Sequence, residues 1–338
     1  MKKSVFLGAL TVAGLAAGAG FAGTLDDVKA RGTLNCGVTT GLTGFAVPDA
    51  NGVWGGFDVG ICRAVAAAVL GDPMAVEFVT TTGSTRFTAL ASGEIDLLAR
   101  NTTWTFSRDV DLKFTFVGVN YYDGQGFMVP RDLGVSSAKD LDGATVCIQT
   151  GTTTELNLAD YFRTNNISYE PVPIETNAEA QQQYLAGACD VYTTDASGLA
   201  ATRATFEAPG DHVLLPEIIS KEPLGPLVRH GDDEWSDIAR WTLNALITAE
   251  ELGVTSANIA ELSAGTNNPE INRLLGTEDE LGAKIGLDAD WAMNAIMAGG
   301  NYGELFEKNI GENTPIGLAR GLNAMWTEGG LIYSPPFR

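Results

Sequence analysis

Strand-like and helix-like patterns of apolar residues alternate along the first two thirds of the chain. Short runs rich in Val, Ile, Thr and Cys are each followed by a segment whose apolar residues recur at helical spacing. The predicted strands are residues 33–39, 76–80, 95–99, 144–149, 168–173 and 190–194. The predicted helices are residues 57–70, 86–92, 153–164, 178–187 and 199–206. Repeated β-α-β units of this kind predict an α/β fold with parallel sheets and helices on their faces.

The first 22 residues are predicted to be an export signal. Lys2 and Lys3 precede an apolar run from Val5 to Ala17, and small residues lead up to Ala22. This run is shorter than the ~20 residues that cross a bilayer, which favours a cleaved signal over a transmembrane anchor. We therefore expect a secreted, periplasmic protein.

Composition excludes several classes of function. The 338 residues include 21 Lys and Arg against 42 Asp and Glu, a net charge of −21, so nucleic acid is not expected as a partner. Two histidines cannot form a three-histidine zinc site, and the sequence lacks the motifs of α/β-hydrolases and phosphate-binding loops. We expect neither a metal nor a cofactor.

Polar residues that follow the predicted strands point to a binding site, because ligands of α/β sheets bind at the carboxyl ends of strands. Residues 101–108 supply hydroxyls and the Arg108 guanidinium. Residues 150–155 form a Gly/Thr turn that opens a helix, whose free N–H groups favour an anion. Asp195 supplies a carboxylate. Because arginine suits a carboxylate and aspartate suits an ammonium group, the combination predicts an α-amino acid ligand.

Each of these residues also has a simpler structural interpretation. Arg108 could form a solvated ion pair with its neighbour Asp109. Thr153 and Glu155 could cap their own helix, and Asp195 could cap the next one. The placement of all of them after successive strands favours the binding site.

Several segments resemble the periplasmic binding proteins of ABC transporters for polar amino acids. The resemblance rests on residues 55–58 (Gly-Gly-Phe-Asp), 86–96, 101–108, 141–143, 149–155 and 194–195. These segments recur in family order over residues 33 to about 252. Residues 100–105 (Arg-Asn-Thr-Thr-Trp-Thr) and 333–338 (Tyr-Ser-Pro-Pro-Phe-Arg) are similar to the general L-amino acid binding proteins of α-proteobacteria.

The resemblance implies the two-lobed fold of type II periplasmic binding proteins, with a mostly parallel sheet in each lobe. Lobe 1 would comprise residues 23–121 and 225–338, and lobe 2 residues 122–224, with crossing strands near 122–126 and 222–225. Residues 253 to about 300 and 312–338 exceed the smaller relatives. We expect both segments to be mainly helical and to pack on lobe 1.

The resemblance also implies how the ends of the ligand are bound. Arg108 would bind the α-carboxylate, together with the backbone N–H groups of Thr103 and Thr153. The α-ammonium would be bound by Asp195, the Asn101 carbonyl and the Thr103 hydroxyl.

The ligand's side chain would be selected by other residues. Arg86 and Gln149 match positions that contact the side chain in glutamate/aspartate-binding and glutamine-binding relatives, which implies broad binding of acidic and amide amino acids. Thr152, in the same turn as Thr153, completes the expected ligand-binding set. Phe45 and Trp54 are candidates for an apolar wall or for the core.

The four cysteines allow three pairings of two disulfides in an oxidising compartment. With two lobes, the resemblance implies Cys36–Cys62 in lobe 1 and Cys147–Cys189 in lobe 2, since a bridge between lobes would lock the hinge. Four buried thiols are the alternative.

The resemblance implies a binding protein, not an enzyme, that acts as a monomer and delivers L-amino acids to the membrane permease subunits of an ABC transporter. The competing hypothesis is an enzyme on the same fold, such as a prephenate or arogenate dehydratase. That chemistry requires a general acid in the cleft, where only Asp195 is evident.

Overall fold

The computed structural model describes residues 23–338, so the predicted export signal, residues 1–22, lies outside the described residues. The strands are β1 Leu34–Thr39, β2 Val47–Pro48, β3 Trp54–Gly55, β4 Val76–Thr81, β5 Leu97–Leu98, β6 Phe114–Phe116, β7 Tyr121–Asp123, β8 Gln125–Pro130, β9 Ala144–Gln149, β10 Tyr169–Ile174, β11 Val191–Asp195, β12 His212–Leu214, β13 Glu222–Leu224 and β14 Leu227–Arg229. The helices are α1 Thr24–Arg31, α2 Phe57–Leu70, α3 Arg86–Ser92, α4 Thr153–Asn165, α5 Asn177–Leu185, α6 Ala196–Arg203, α7 Asp233–Glu251, α8 Ile259–Ala264, α9 Pro269–Leu274, α10 Trp291–Met297 and α11 Tyr302–Asn309. None of these helices has both the length and the hydropathy that a membrane crossing requires.

Two five-stranded sheets form the framework, in the orders β4-β1-β5-β14-β6 and β10-β9-β11-β8-β12. We refer to the parts built on them as lobe 1 and lobe 2. In each sheet the first three strands pair in parallel, whereas the last two pairings are antiparallel. In each sheet four strands therefore share one direction and one strand is reversed, β14 in the first sheet and β8 in the second. The sheets are mostly parallel, as predicted, but each contains one antiparallel strand.

The reversed strands are explained by the way the chain passes between the sheets. β7 leads from β6 into β8, and β13 leads from β12 into β14, and the two connecting strands pair antiparallel with each other. A chain that arrives from between the lobes enters each sheet at the carboxyl ends of its parallel strands. It must then run against those strands, which reverses β8 and β14.

Each lobe has its own buried apolar residues beneath its sheet. Helix α2 packs Phe57, Ile61 and Val65 into the core of lobe 1, and α4 packs Leu158 and Phe162 into that of lobe 2. The alternation of strands and helices agrees with the sequence prediction, and helices 57–70 and 86–92 and strand 144–149 match at both ends.

The four cysteines form two pairs within single lobes. Cys36 on β1 is joined to Cys62 on α2, with 6.1 Å between their Cα atoms. Cys147 on β9 is joined to Cys189, with 5.6 Å between their Cα atoms. This is the pairing that the resemblance implies, and it leaves the connections between the lobes free of covalent links.

The segment from residue 253 onward packs mainly on lobe 1. Apolar residues of its first part, including Trp291 and Ile296, join the same core as α2 and α7. The expectation of a mainly helical tail is wrong for residues 312–338, which contain two short 3-10 turns, Gly321–Asn323 and Trp326–Glu328. Repeated Pro and Gly residues in this stretch prevent a longer helix. The helical spacing of Leu318, Leu322 and Trp326 predicts an apolar face in this stretch, but Leu322 and Trp326 are exposed.

The tail reaches the connection between the lobes. The side-chain amide of Asn323 accepts a hydrogen bond from the Tyr122 N–H at 2.6 Å and donates one to the Tyr122 carbonyl at 3.1 Å. Tyr302 on α11 donates its hydroxyl to the Asn120 carbonyl at 2.8 Å. These contacts support β7 and the residue that precedes it directly.

Candidate functional site

A cavity lies between the two sheets, where parallel strands of both lobes end. Every predicted ligand-binding residue except Arg108 lines it. The predicted residues that it brings together are Arg86, Asn101 and Thr103 from lobe 1 and Gln149, Thr152, Thr153 and Asp195 from lobe 2. The residues selected by the rule that ligands bind at strand ends therefore converge on one cavity.

Two buried guanidinium groups face the cavity. Arg86 is 2% exposed, and its Nε–H has no hydrogen-bond partner among residues 23–338. Its other contacts are long, 3.4 Å to the Thr102 hydroxyl and 3.3 Å to the Gly151 carbonyl. Arg100 donates to the Thr81 carbonyl at 3.1 Å, and burial with the nearby Arg108 lowers its pKa to about 10. In the described part of the chain, neither arginine has a carboxylate within ion-pair distance.

Arg108 lies behind the cavity wall, in the π-helical turn Ser107–Asp111. Its guanidinium donates to the Thr103 carbonyl at 2.8 Å and lies over the Phe87 ring. The alternative of a solvated ion pair with Asp109 is wrong, since Arg108 is buried and Asp109 instead accepts a hydrogen bond from the Trp104 indole. Arg108 thus holds the backbone of the segment that forms the wall.

The backbone N–H of Thr103 is free to face the cavity. Segment 102–104 forms an antiparallel bridge with Leu224, in which the Trp104 N–H and the Thr102 carbonyl make the hydrogen bonds. In this geometry the N–H and carbonyl of the central residue, Thr103, point away from the partner strand. The carbonyl is bound by Arg108, and the N–H makes no hydrogen bond among residues 23–338.

The start of helix α4 offers a second N–H group. Thr153 is its first residue, so its N–H has no acceptor within the helix. The capping interpretation fails for Thr153, whose hydroxyl is directed at Glu222, whereas Glu155 accepts the Gly151 N–H at 3.3 Å in the turn before the helix. Thr152 makes no capping hydrogen bond and donates its hydroxyl to the Gln149 carbonyl at 2.7 Å. The Thr153 hydroxyl donates to Glu222.

Asp195 is a buried carboxylate at the end of β11. It precedes helix α6, but its side chain makes no capping hydrogen bond, so the capping interpretation is wrong for this residue as well. Burial, together with the nearby Asp123 and Glu222 carboxylates, raises the pKa of Asp195 well above its usual range. A buried carboxylate in this setting gains greatly from a cationic partner.

The backbone of Asn101, which also lines the cavity, is held in an unusual conformation. Its φ of 29° lies in the left-handed region, which asparagine tolerates better than most residues. Asp58, on α2, accepts the Asn101 N–H at 3.2 Å, and burial raises the pKa of Asp58 to about 7. The Gly-Gly-Phe-Asp segment therefore supports the site through Asp58, beneath the ligand-facing loop.

The lobes touch across the cavity in this structure. The Asn177 amide of lobe 2 donates to the Gly41 carbonyl of lobe 1 at 2.9 Å. A Cβ atom added to Gly83 would lie 2.4 Å from the Thr150 carbonyl oxygen of the other lobe. The structure is thus a closed arrangement in which backbone meets backbone.

Sequence reasoning missed several residues of the site. Arg100, Tyr192, Leu42 and Asn177 also line the cavity, whereas Phe45 is buried in the core and Trp54 packs on Phe78. The position of Arg100 at the carboxyl end of β5 was a usable signal. Nothing in the local pattern distinguished Tyr192 from a core residue.

Comparison with known proteins places the chain in a family. The glutamate/glutamine/aspartate/asparagine-binding protein BztA of Rhodobacter capsulatus is 68% identical over 338 residues, 100% of both chains. The general L-amino acid-binding periplasmic protein AapJ of Rhizobium johnstonii is 57% identical over 342 residues, again 100% of both. A solved ABC transporter/periplasmic binding protein from Brucella ovis with glutathione bound has a TM-score of 0.91 and 55% identity, and covers 94% of this chain and 100% of its own.

These similarities confirm the predicted two-lobed fold of type II periplasmic binding proteins. The matching family covers residues 34–258, well over half of the chain. The chain belongs to the bacterial extracellular solute-binding proteins, family 3.

Proposed function

We propose that this protein binds L-α-amino acids between its lobes in the periplasm and delivers them to the permease of an ABC transporter. The observation that carries the proposal is one cavity lined by the buried guanidinium groups of Arg86 and Arg100, which form no ion pair among residues 23–338, and by the buried carboxylate of Asp195, which makes no helix-capping hydrogen bond. Buried charges need partners of opposite sign. A zwitterion supplies both signs at once.

The α-carboxylate is bound by the free backbone N–H groups of Thr103 and Thr153, with Arg108 as its charge partner. Arg108 is held at the Thr103 carbonyl at 2.8 Å, and the N–H of the same residue lies at the cavity. The α-ammonium is bound by Asp195, the Asn101 carbonyl and the Thr103 hydroxyl. This division is supported by the fact that the residues supplying these donors and acceptors, except Arg108, line the same cavity.

The ligand's side chain lies toward Arg86, Arg100 and Gln149. Two cationic groups and an amide favour a carboxylate or a carboxamide, with Thr152 as an additional hydroxyl partner. Leu42 and Tyr192 provide the apolar contact. The relative named for binding glutamate, glutamine, aspartate and asparagine, and the relative named for general L-amino acids, support a broad preference for acidic and amide ligands.

Uptake requires opening and closing about β7 and β13. We propose residues 23–121 with 225–338 as one moving body and residues 122–224 as the other. Ligand contacts made to both bodies favour the closed form, which then docks on the permease. Residues 1–22 direct the chain out of the cytoplasm, and the protein acts as a monomer without a nucleic-acid partner.

The dehydratase hypothesis is not favoured. Relatives that match the whole chain at high identity are named as binding proteins. Asp195 is the acidic residue that lines the cavity and could serve as a general acid. A general acid must be protonated, whereas binding of the ligand's ammonium group requires the ionised form of Asp195.

Calorimetric titration with the twenty standard amino acids tests the proposal. We expect Glu, Gln, Asp and Asn to bind, with Lys and Arg weakest because Arg86 and Arg100 repel a second cation. A thermal shift should accompany binding, since a ligand at 100 times its Kd stabilises by about 2.7 kcal/mol. A protein that binds none of the twenty would contradict the proposal.

Arg86→Ala tests how the side chain is selected. We expect affinity for Glu and Asp to fall at least ~10-fold more than affinity for Gln and Asn, because a buried carboxylate loses its cationic partner. Calorimetry with all four ligands measures the difference. Arg63→Ala is the control, since Arg63 donates to the Trp54 carbonyl away from the cavity. Equal losses for the four ligands would remove Arg86 from the selection.

A further inference from the structure

Glu222, on the crossing strand β13, is a buried carboxylate that contacts both lobes. It is 1% exposed. Its Oε2 atom accepts the hydroxyl of Thr103 from lobe 1 and that of Thr153 from lobe 2, the latter at 3.0 Å. Its Oε1 atom accepts the Asn157 amide and the Ser220 hydroxyl, both at 2.6 Å. Four donors thus converge on one side chain.

The Glu222 carboxylate, as the acceptor, fixes the direction of the two threonine hydroxyls. A carboxylate accepts hydrogen bonds and donates none, whereas a hydroxyl has a single proton and two lone pairs. With that proton directed at Glu222, the Thr103 oxygen presents only lone pairs to the cavity. The same holds for Thr153, so the 3.3 Å approach of the two hydroxyl oxygens brings together two acceptors.

We propose that Glu222 is a positioning residue that makes the site selective for an α-ammonium group. This inference rests on the proposed function. Oriented by Glu222, the Thr103 hydroxyl becomes a third acceptor beside the Asp195 carboxylate and the Asn101 carbonyl, since all three residues line the same cavity. An ammonium group donates three hydrogen bonds and satisfies all three acceptors, whereas an α-hydroxyl donates one. An α-hydroxy acid therefore leaves two buried acceptors unsatisfied.

The arrangement also links recognition to closure. Thr103 and Thr153 belong to different lobes, and Glu222 lies on the strand that joins them. Both hydroxyls reach Oε2 only when the lobes are together, as they are here. Asp195 of lobe 2 likewise meets Asn101 and Thr103 of lobe 1 at the cavity, so the acceptor set for the ammonium is completed in the closed form.

A double-mutant cycle tests the role of Glu222, with L-glutamine as the ligand and calorimetry as the measurement. The variants are Glu222→Gln, Thr103→Val and the pair together. We expect each single change to weaken binding ~10-fold, because glutamine halves the acceptor capacity and valine removes the oriented oxygen. The double variant should also be ~10-fold weaker, not ~100-fold, since Glu222 acts through Thr103.

Glu217→Gln is the matched control. Glu217 also accepts a hydroxyl, from Ser137, and a backbone N–H, but lies in lobe 2 outside the cavity, so its variant should bind as the wild type does. Glu222→Asp, whose shorter side chain withdraws from both threonines, replaces Glu222→Gln if that variant does not fold and should show the same loss.

The outcomes separate this inference from the proposed function. Unchanged affinity of the Glu222 variants, or losses that multiply to ~100-fold in the double variant, would overturn the role of Glu222 while the wild type still binds. Failure of the wild type to bind L-glutamine or any other amino acid would overturn the proposed function itself.

Discussion

Asp195→Asn is expected to weaken amino-acid binding at least ~100-fold. The substitution keeps the shape of the side chain but removes the anion that the buried ammonium requires. Loss of one partner from a buried charge pair costs about 2–5 kcal/mol, and each 1.4 kcal/mol changes the affinity tenfold. Calorimetric titration with L-glutamine and L-glutamate measures the effect.

Asp190→Asn is the matched control. Asp190 directly precedes β11 and accepts hydrogen bonds from the Thr145 N–H and hydroxyl, at 2.9 and 2.7 Å, away from the cavity. Its substitution should leave the affinity unchanged. Equal effects of the two substitutions would mean that Asp195 acts through the fold and not through the ligand.

The pH dependence of binding follows from the same carboxylate. The pKa of Asp195 is raised by burial and by the Asp123 and Glu222 carboxylates, against the opposing effect of Arg86 and Arg108. Since the ammonium binds the ionised form, affinity should fall as the pH drops through this raised pKa, toward tenfold for each pH unit. Asp195→Asn should lack this component. Titrations across the pH range, with both proteins, separate it from the titration of other groups.

Ligand-free stability should change in the opposite direction. A folded-state pKa above the unfolded value means that the native state binds the proton more tightly, so this contribution to stability is lost as the pH rises through the raised pKa. Asparagine carries no charge to bury. The ligand-free variant should therefore melt above the wild type near neutral pH, and binding by Asp195 is obtained at the expense of stability.

Local sequence patterns predicted the strands, the helices and the place of the cavity, because helical spacing and the position of a residue after a strand both follow from backbone geometry. The 3.6-residue spacing in residues 57–70 needs no tertiary information, and helix α2 has those bounds. The position after a parallel strand likewise brought Thr103 and Asp195 to one cavity although 92 positions separate them in the sequence. Both signals depend on backbone geometry alone.

Side-chain direction required the structure. Arg108 and Arg100 follow the same strand, yet Arg100 faces the cavity while Arg108 turns back on the Thr103 carbonyl. The π-helical turn that aims Arg108 has no recognisable sequence pattern. Glu222 was missed for a related reason, since its four donors come from separate segments that meet only when both crossing strands are in place.

The tail shows how an apolar pattern misleads. Leu318, Leu322 and Trp326 recur at helical spacing, which predicts one buried face. Gly317 and Gly321 have φ values of 69° and 50°, outside the helical region, so the chain turns and leaves Leu322 and Trp326 exposed. The turns at these glycines therefore prevent the helix that the apolar spacing predicts.

Gly83→Ala is expected to weaken ligand binding at least ~10-fold without harming the ligand-free fold. Gly83 lies in the turn before α3 and faces the other lobe. A Cβ at this position would lie 2.4 Å from the Thr150 carbonyl oxygen and 3.0 Å from the Thr152 methyl group. The obstacle is largely backbone, which cannot move aside as a flexible side chain can.

The predicted effect is confined to the closed form. Gly83 does not have a left-handed φ, so alanine adopts its conformation without strain. An open protein, in which Thr150 has moved away, accommodates the methyl group. When the variant closes, the methyl group prevents the lobes from approaching as closely as in the wild type. Contacts between the lobes, such as the Arg86–Gly151 hydrogen bond, are then lost from the bound state. The penalty therefore appears in ligand affinity and not in the melting temperature of the ligand-free protein.

Two measurements distinguish impaired closure from a general defect. Small-angle scattering should show a smaller decrease in the radius of gyration on addition of saturating L-glutamine than the wild type shows, and calorimetry should show the lower affinity. Gly210→Ala is the matched control, because a Cβ at Gly210 meets no atom within 4 Å and its backbone is not left-handed. A Gly83→Ala protein that binds and compacts as the wild type does would contradict this prediction. It would show that the lobes need not meet as closely as they do here. Ligand contacts alone, without direct packing between the lobes, would then determine the bound state.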